Sequence, residues 1–223
     1  MAWDWSVIWE YRELFFRGFF NTILLTSTGV AFGLLIGLFM SLGKMSSKWV
    51  IRIPASLYVD MFRGTPLFVQ ILLIHFAVIP TIFEALGREI PPAIFSGFVA
   101  LSLNAGAYIA EIFRSGIQSI DKGQMEAARS LGMNHNQAMY HVILPQAFKR
   151  ILPPLGNEFI ALLKDSSLLA VIAVNELAYA GFTTAKSTFV RFPPYLSIAV
   201  LYLLLTLVFS QVVLWLERKY KTD

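Results

Sequence analysis

Five stretches of about twenty or more mostly apolar residues limit what this chain can fold into. They run from about Phe19 to Leu42, Pro54 to Ile79, Ala93 to Phe113, Ile151 to Ala173 and Pro194 to Leu216. At about 1.5 Å per residue, roughly twenty residues span a hydrocarbon core of about 30 Å. Backbone groups in hydrocarbon must be satisfied within the segment, which predicts helices rather than an open sheet. Prolines mark several starts (Pro54, Pro91-Pro92, Pro153-Pro154, Pro193-Pro194), and a first helical turn tolerates the missing N–H. Charged residues make up 14% of the 223, well below the roughly 25% of soluble domains. The expectation is an all-α integral membrane protein with five transmembrane helices and no separate soluble domain. Cysteine is absent, which excludes disulfides, thiolate metal sites and a cysteine nucleophile.

The net charge of +4 and the pI near 9.4 are explained by where the basic residues fall, without invoking nucleic acid. Lys44, Lys48 and Arg52 lie between runs one and two. Arg114, Lys122, Arg129, Lys149 and Arg150 lie between runs three and four, and Arg218, Lys219 and Lys221 at the end. The other connections mix fewer cations with Glu84, Glu89 and Glu176. The excess of Lys and Arg on the inner side predicts an amino terminus outside and a carboxyl terminus in the cytoplasm, which five crossings permit. Met1 to Arg17 mixes three Trp with charges of both signs, unlike a cleaved signal. Either a short interfacial helix or a solvated arm fits it. The layout is one transmembrane domain, 1–223: an interfacial or extracytoplasmic segment 1–18, spans one to three in 19–113, a cytoplasmic loop 114–150, spans four and five in 151–216, and a cytoplasmic tail 217–223.

The long inner loop carries its own structure. Lys122 to Gly132 reads as a short helix ending on a left-handed glycine, and Asn136 to Ala147 as a second helical stretch interrupted by Pro145. Within the runs, Gly29, Gly33, Gly37 and Ser41 form one ridge, suited to close packing inside the chain or to a dimer contact. Ionisable residues are costly there. Asp60 and Arg63, and Glu111 and Arg114, are spaced three apart and read as ion pairs. Glu158 and Asp165, with Ser166 and Ser167, read as a water-accessible solute path. Gly43-Lys44 resembles the end of a phosphate-binding loop, but Leu38 replaces its first Gly and Met45 follows the Lys. His75, His135 and His141 are scattered, which excludes the common zinc and hydrolase patterns and leaves no metal site.

Glu126-Ala127-Ala128, then Gly132, then Leu144-Pro145 resembles the EAA loop of ABC importer permeases, with Val142 in place of the usual Ile. Arg63-Gly64-Thr65-Pro66-Leu67, Asn104 to Glu111, Leu144 to Ala147, Asn157-Glu158 and Lys164 to Leu168 are similar to the polar amino acid permease family. The resemblance implies a MetI-like type I fold, a second permease copy in a homodimer or heterodimer, and an extracytoplasmic amino-acid-binding protein. It also implies two cytoplasmic ATPase subunits that bind Mg-ATP, so that this chain itself holds no cofactor and is not an enzyme. Glu126, Ala127, Ala128 and Gly132 would then couple to the ATPase, the two alanines leaving one face thin enough to nest and Glu126 sitting near the helix's positive end. Glu158, Asp165, Asn157, Ser166 and Thr65 are expected at the substrate, with Arg63, or backbone opened near Pro66, on its α-carboxylate. The acidic pair points to arginine, lysine or histidine. The rival reading is a transporter driven by an ion gradient, with Asp60, Glu111 or Asp165 as its proton site.

Overall fold

The computed structural model describes residues 3–220; the end of the expected tail, with Lys221, lies outside the described residues, as do residues 1 and 2. The described residues are helical, with no strand among them. In chain order the helices are α1 (Ser6–Glu10), α2 (Arg12–Lys44), α3 (Trp49–Gly64), α4 (Leu67–Ala85), α5 (Ala93–Gln118), α6 (Lys122–Ser130), α7 (His135–Ile172), α8 (Leu177–Thr188) and α9 (Phe192–Tyr220). Helices α2, α4, α5 and α9 are each long and apolar enough to cross a membrane. Helix α7 together with α8, bent by 42° at the break between them, makes a fifth.

Three boundaries differ from the expectation. The first spanning helix starts at Arg12, so residues 12–18 belong to it rather than to an interfacial segment; only the five-residue α1 precedes it. The second run is not one helix from Pro54 to Ile79. It divides at Thr65-Pro66 into α3 and α4, and the long apolar member is Leu67–Ala85. Proline favours the division: Pro66 offers no N–H and its ring disfavours a helical residue before it, and Thr65 lies in the extended region, at φ −123° and ψ 146°. Lastly, the segment after Asn175 is helical. Its twelve-residue α8 is capped by the buried Glu176, whose carboxylate accepts from Ala178 N and Tyr179 N at 2.7 Å and from the Tyr202 hydroxyl at 2.6 Å. Lys186 and the threonines dilute its hydropathy, which made it read as a connection.

Helix α5 is central. The glycine ridge of α2 lies on it: a Cβ on Gly33 would stand 2.8 Å from Ala105 Cβ, and one on Gly37 2.7 Å from Ile109 Cγ2. The ridge therefore serves packing within the chain. Helix α3 crosses α5 near its middle, where the Tyr58 hydroxyl donates to the Leu103 carbonyl at 2.6 Å. Helix α4 runs along α5 toward the opposite end, with His75 Nδ1 3.0 Å from Ser96 Oγ. Leu25, Ile71, Leu101, Ile109, Leu162 and Leu169 fill the core between these helices. Outward faces are apolar instead: Phe32, Leu35 and Phe39 on α2 and Leu204, Leu207 and Val208 on α9 are exposed, as suits acyl chains.

Gly37→Val is expected to destabilise the chain by about 1–3 kcal/mol through overpacking against Ile109. Gly64→Ala, which meets nothing within 4 Å, should stay within about 0.5 kcal/mol. Thermal melting of the detergent-purified protein checks both.

Candidate functional site

The break between α3 and α4 frees backbone groups in the interior of the bundle, and one side chain satisfies several of them. Gln70 Nε2 donates to the Phe62 carbonyl at 2.7 Å and to the Thr65 carbonyl at 3.0 Å, and lies 2.9 Å from Thr65 Oγ1. Its Oε1 accepts from Asn104 Nδ2 at 2.9 Å, which ties the break to α5. Both Gln70 and Asn104 are buried. Asn104 is the twelfth residue of the 26 in α5, so the break sits near half the height of that helix. The amides of Leu67 and Phe68 open α4 and have no acceptor within their own helix, as at any helix start.

Leu67 and Phe68 line a cavity of about 380 Å³. Its lining includes Thr65 and Phe68 at the break, Asn104 and Tyr108 from α5, and Glu158 and Asp165 from α7. Ala161 and Leu168 complete the α7 side, so residues 158, 161, 165 and 168 form one helical stripe with a small residue between the two acids. The cavity thus sets two carboxylates opposite the positive end of a helix.

The structure separates the residues expected at the substrate. Thr65, Glu158 and Asp165 line the cavity. Arg63 does not; its guanidinium lies 5.5 Å over the Tyr108 ring and 3.8 Å from Glu111 Oε2, outside the lining. Ser166 is fully buried and donates to the Leu163 carbonyl at 2.7 Å, and Asn157 is exposed outside the lining. Of the two carboxylate partners left open by the sequence, Arg63 or opened backbone, the backbone is the one at the cavity. Gln70 was missed. Its signal was an amide alone in the apolar run Leu67–Leu73, four residues after a proline, where a polar group must find partners.

Asp60 and Arg63 do not pair with each other. Asp60 Oδ1 is 3.5 Å from Lys44 Nζ, and Glu111 collects Lys44 at 3.5 Å, Arg63 and, most closely, Arg114. Three helices converge on this cluster, so each cation takes the carboxylate that tertiary packing brings nearest. Lys44 is thereby engaged by carboxylates at the end of α2.

Beyond the cluster, α6 stands as an exposed ridge. Asp121 caps it through Gly123 N at 2.7 Å. Gly132 closes it at φ +89°, with Gly132 N bonded to the Arg129 carbonyl and Met133 N to the Ala128 carbonyl, the reciprocal pair of a glycine-ended helix. Glu126 and Ala127 face outward, and Leu131 is 82% exposed. Ala128 is buried, so only one of the two alanines is on the open face. Glu126 is the fifth residue of nine, too far along for the expected dipole preference. Ile120, Ile143, Ala147 and Ile151 support the ridge from beneath. The second stretch is no separate loop helix. From His135, α7 passes Pro145 into the membrane span, because a π turn over Met139–Ile143 places Pro145 at the start of the next α-helical segment. Pro153 and Pro154 accordingly lie within the helix rather than at its start.

Residues 29–222 match the family model of the binding-protein-dependent transport system inner membrane component. The chain is 39% identical over 221 residues, 99% of each chain, to the glutamine transport system permease protein GlnP of Escherichia coli (strain K12). A solved structure of an amino acid ABC transporter with histidines superposes with a TM-score of 0.89 and 45% identity, over 98% of this chain and 100% of that one. The MetNI methionine ABC transporter, in inward facing conformations, shares the fold with a TM-score of 0.77 at 20% identity, over 94% of this chain and 97% of that one.

Replacing Gln70 by Leu leaves the Asn104 amide and the Phe62 and Thr65 carbonyls without this partner. A loss of about 1–3 kcal/mol is expected for each buried group left unpaired, seen as a lower melting temperature together with reduced solute uptake.

Proposed function

Because this chain belongs to the family of binding-protein-dependent transport system inner membrane components, as an ABC importer permease of the polar amino acid type with a MetI-like fold, we propose that it passes basic L-amino acids through the cavity at the α3–α4 break. The permease is a multi-pass inner-membrane transport component and not a catalyst. One observation carries the reading: Glu158 and Asp165 share a cavity of about 380 Å³ with the first residues of α4. An amino acid presents charges of both signs, and the cavity offers both complements. The α-carboxylate meets the unpaired amides of Leu67 and Phe68 beside Thr65, at the positive end of α4. The α-ammonium and a cationic side chain meet Glu158 and Asp165. Asn104 and Tyr108 hold the wall between them. Arg63, Asn157 and Ser166 act around this site: Arg63 against the face of Tyr108, Asn157 next to Glu158 and Ser166 next to Asp165 in the chain.

Two carboxylates in one small cavity favour arginine, lysine or histidine over glutamine, although GlnP is named for glutamine transport. The neighbouring structure with histidines supports the same choice. Orientation follows the basic residues: the α6 end faces the cytoplasm, with the carboxyl terminus, and the amino terminus lies outside. There α6 docks on an ATPase subunit that binds Mg-ATP and hydrolyses it, through Glu126, Ala127 and the exposed Leu131, with Ala128 and Gly132 holding the ridge in shape. A second permease copy and an extracytoplasmic amino-acid-binding protein complete the importer.

Glu158→Gln is expected to lower ATP-driven arginine uptake by at least about tenfold, the loss of one charge-assisted hydrogen bond, while leaving the assembled complex intact. Unchanged uptake and selectivity would remove the substrate assignment. Glu126→Lys should abolish recovery of ATPase subunits on affinity purification of the permease from its own cells. Absence of ATPase with wild type as well would sink the coupling assignment.

A further inference from the structure

Helices α7 and α9 touch at Gly156, where a Cβ would stand 2.6 Å from Val213 Cγ2. On the α6 side of that contact they separate around a cavity of about 470 Å³. Its walls are Lys149, Arg150 and Pro153 from α7 and Leu214, Glu217 and Arg218 from α9, closed by Tyr220. Three cations thus share it with one carboxylate, and none of the three is ion-paired among the described residues. Arg150 is fixed in place, its Nη1 donating to the Ser119 carbonyl at 2.5 Å. This cavity is separate from the one holding Glu158 and Asp165.

The level of the cavity relative to a bilayer is marked by its neighbours. Trp215 is exposed, and Lys219 Nζ lies 4.9 Å over its ring and 5.6 Å over that of Tyr220. Such a group of aromatic and basic side chains at the end of a spanning helix belongs at headgroup depth. Away from the cavity, Leu214, Leu207, Leu203 and Val200, which share one face of the helix, continue as an exposed apolar track up α9. A cationic seat opening onto an apolar track matches an amphiphile. A free anion would use the cations and leave Leu214 and the track idle.

We propose that this cavity seats the phosphate headgroup of an anionic phospholipid from the leaflet at the α6 end, with an acyl chain lying along α9. Lys149, Arg150 and Arg218 engage the phosphodiester, and Tyr220 closes over it. The inference needs only that α7 and α9 cross the bilayer; it is independent of the transported solute. Because α7 runs unbroken from the loop that carries α6, the lipid links that loop to the bilayer surface.

The test uses the permease with its co-purified partners in nanodiscs of equal phosphatidylglycerol and phosphatidylethanolamine, with retained lipid counted by native mass spectrometry. Wild type is expected to retain phosphatidylglycerol over phosphatidylethanolamine. The double variant Lys149→Gln/Arg218→Gln should lose that preference by about tenfold or more, as two cations near a charged surface contribute, and Lys149→Arg/Arg218→Lys should restore it. Equal retention by wild type and the double variant would overturn the proposal. So would displacement of the lipid by millimolar inorganic phosphate, which would mark a site for a soluble anion. Loss of the partner ATPase from the double variant with lipid retention unchanged would also overturn it, assigning the surface to a protein contact.

Discussion

Between two helices already in hydrocarbon, excluding water contributes nothing, and attraction depends on how closely the backbones approach. Helices α2 and α5 meet along Gly29, Gly33 and Gly37, where the atoms of Leu101, Ala105 and Ile109 occupy the space that side chains would need. Once α5 is held there, α3 can cross near its middle and bond Leu103, α4 can run beside Asn104 and Ser96, and α7 can bring Leu162 into the same core. Loosening this seam would move every residue that α5 contributes to the cavity. The small residues are therefore upstream of the polar ones, although they touch no solute.

A proline inside a spanning run would be a liability if nothing repaired the backbone. Here the repair and the site are one arrangement. Gln70 bonds the carbonyls released before Pro66 and is itself held by Asn104, with the first residues of α4 in the lining of the cavity. Placing a helix start opposite Glu158 and Asp165 gives a dipolar environment without burying an extra cation. Lys44 and Arg63 are held by Glu111, and Lys44 also by Asp60, outside the lining of the cavity.

The loop at the other end is built for stiffness. Its exposed ridge is capped at both ends, bedded on Ile120, Ile143 and Ile151, and followed, after the turn at Gly132, by α7, whose π turn absorbs Pro145. From His135 onward the helix is continuous as far as Glu158 and Asp165, so a displacement passed to the start of α7 is carried along it toward them. That continuity is a mechanical reason for a proline to be accommodated by a wider turn rather than by a break. The contrast with Pro66, which does break its helix, lies in the backbone leading into each proline: Thr65 is extended immediately before Pro66, whereas Ile143 keeps helical angles two residues before Pro145.

Much of this was legible in the chain itself. The apolar runs prescribed spanning helices, because length and a charge-poor, mostly apolar composition suffice for that. Gly132 prescribed its own left-handed turn, and the spacing of Glu158 and Asp165 placed them on one face, since both follow from local backbone geometry. The glycine ridge announced a close contact without naming its partner. Tertiary structure alone decided that α5 is that partner, that Lys44 rather than Arg63 stands beside Asp60, and that Ala128 turns inward while Ala127 stays open. It also decided that backbone at Pro66, and not Arg63, reaches the cavity, with Gln70 holding the break. The physical reason is range. Periodicity, caps and proline act within a few residues along the chain, while ion pairing, burial and cavity lining depend on where helices far apart in sequence come to rest against one another.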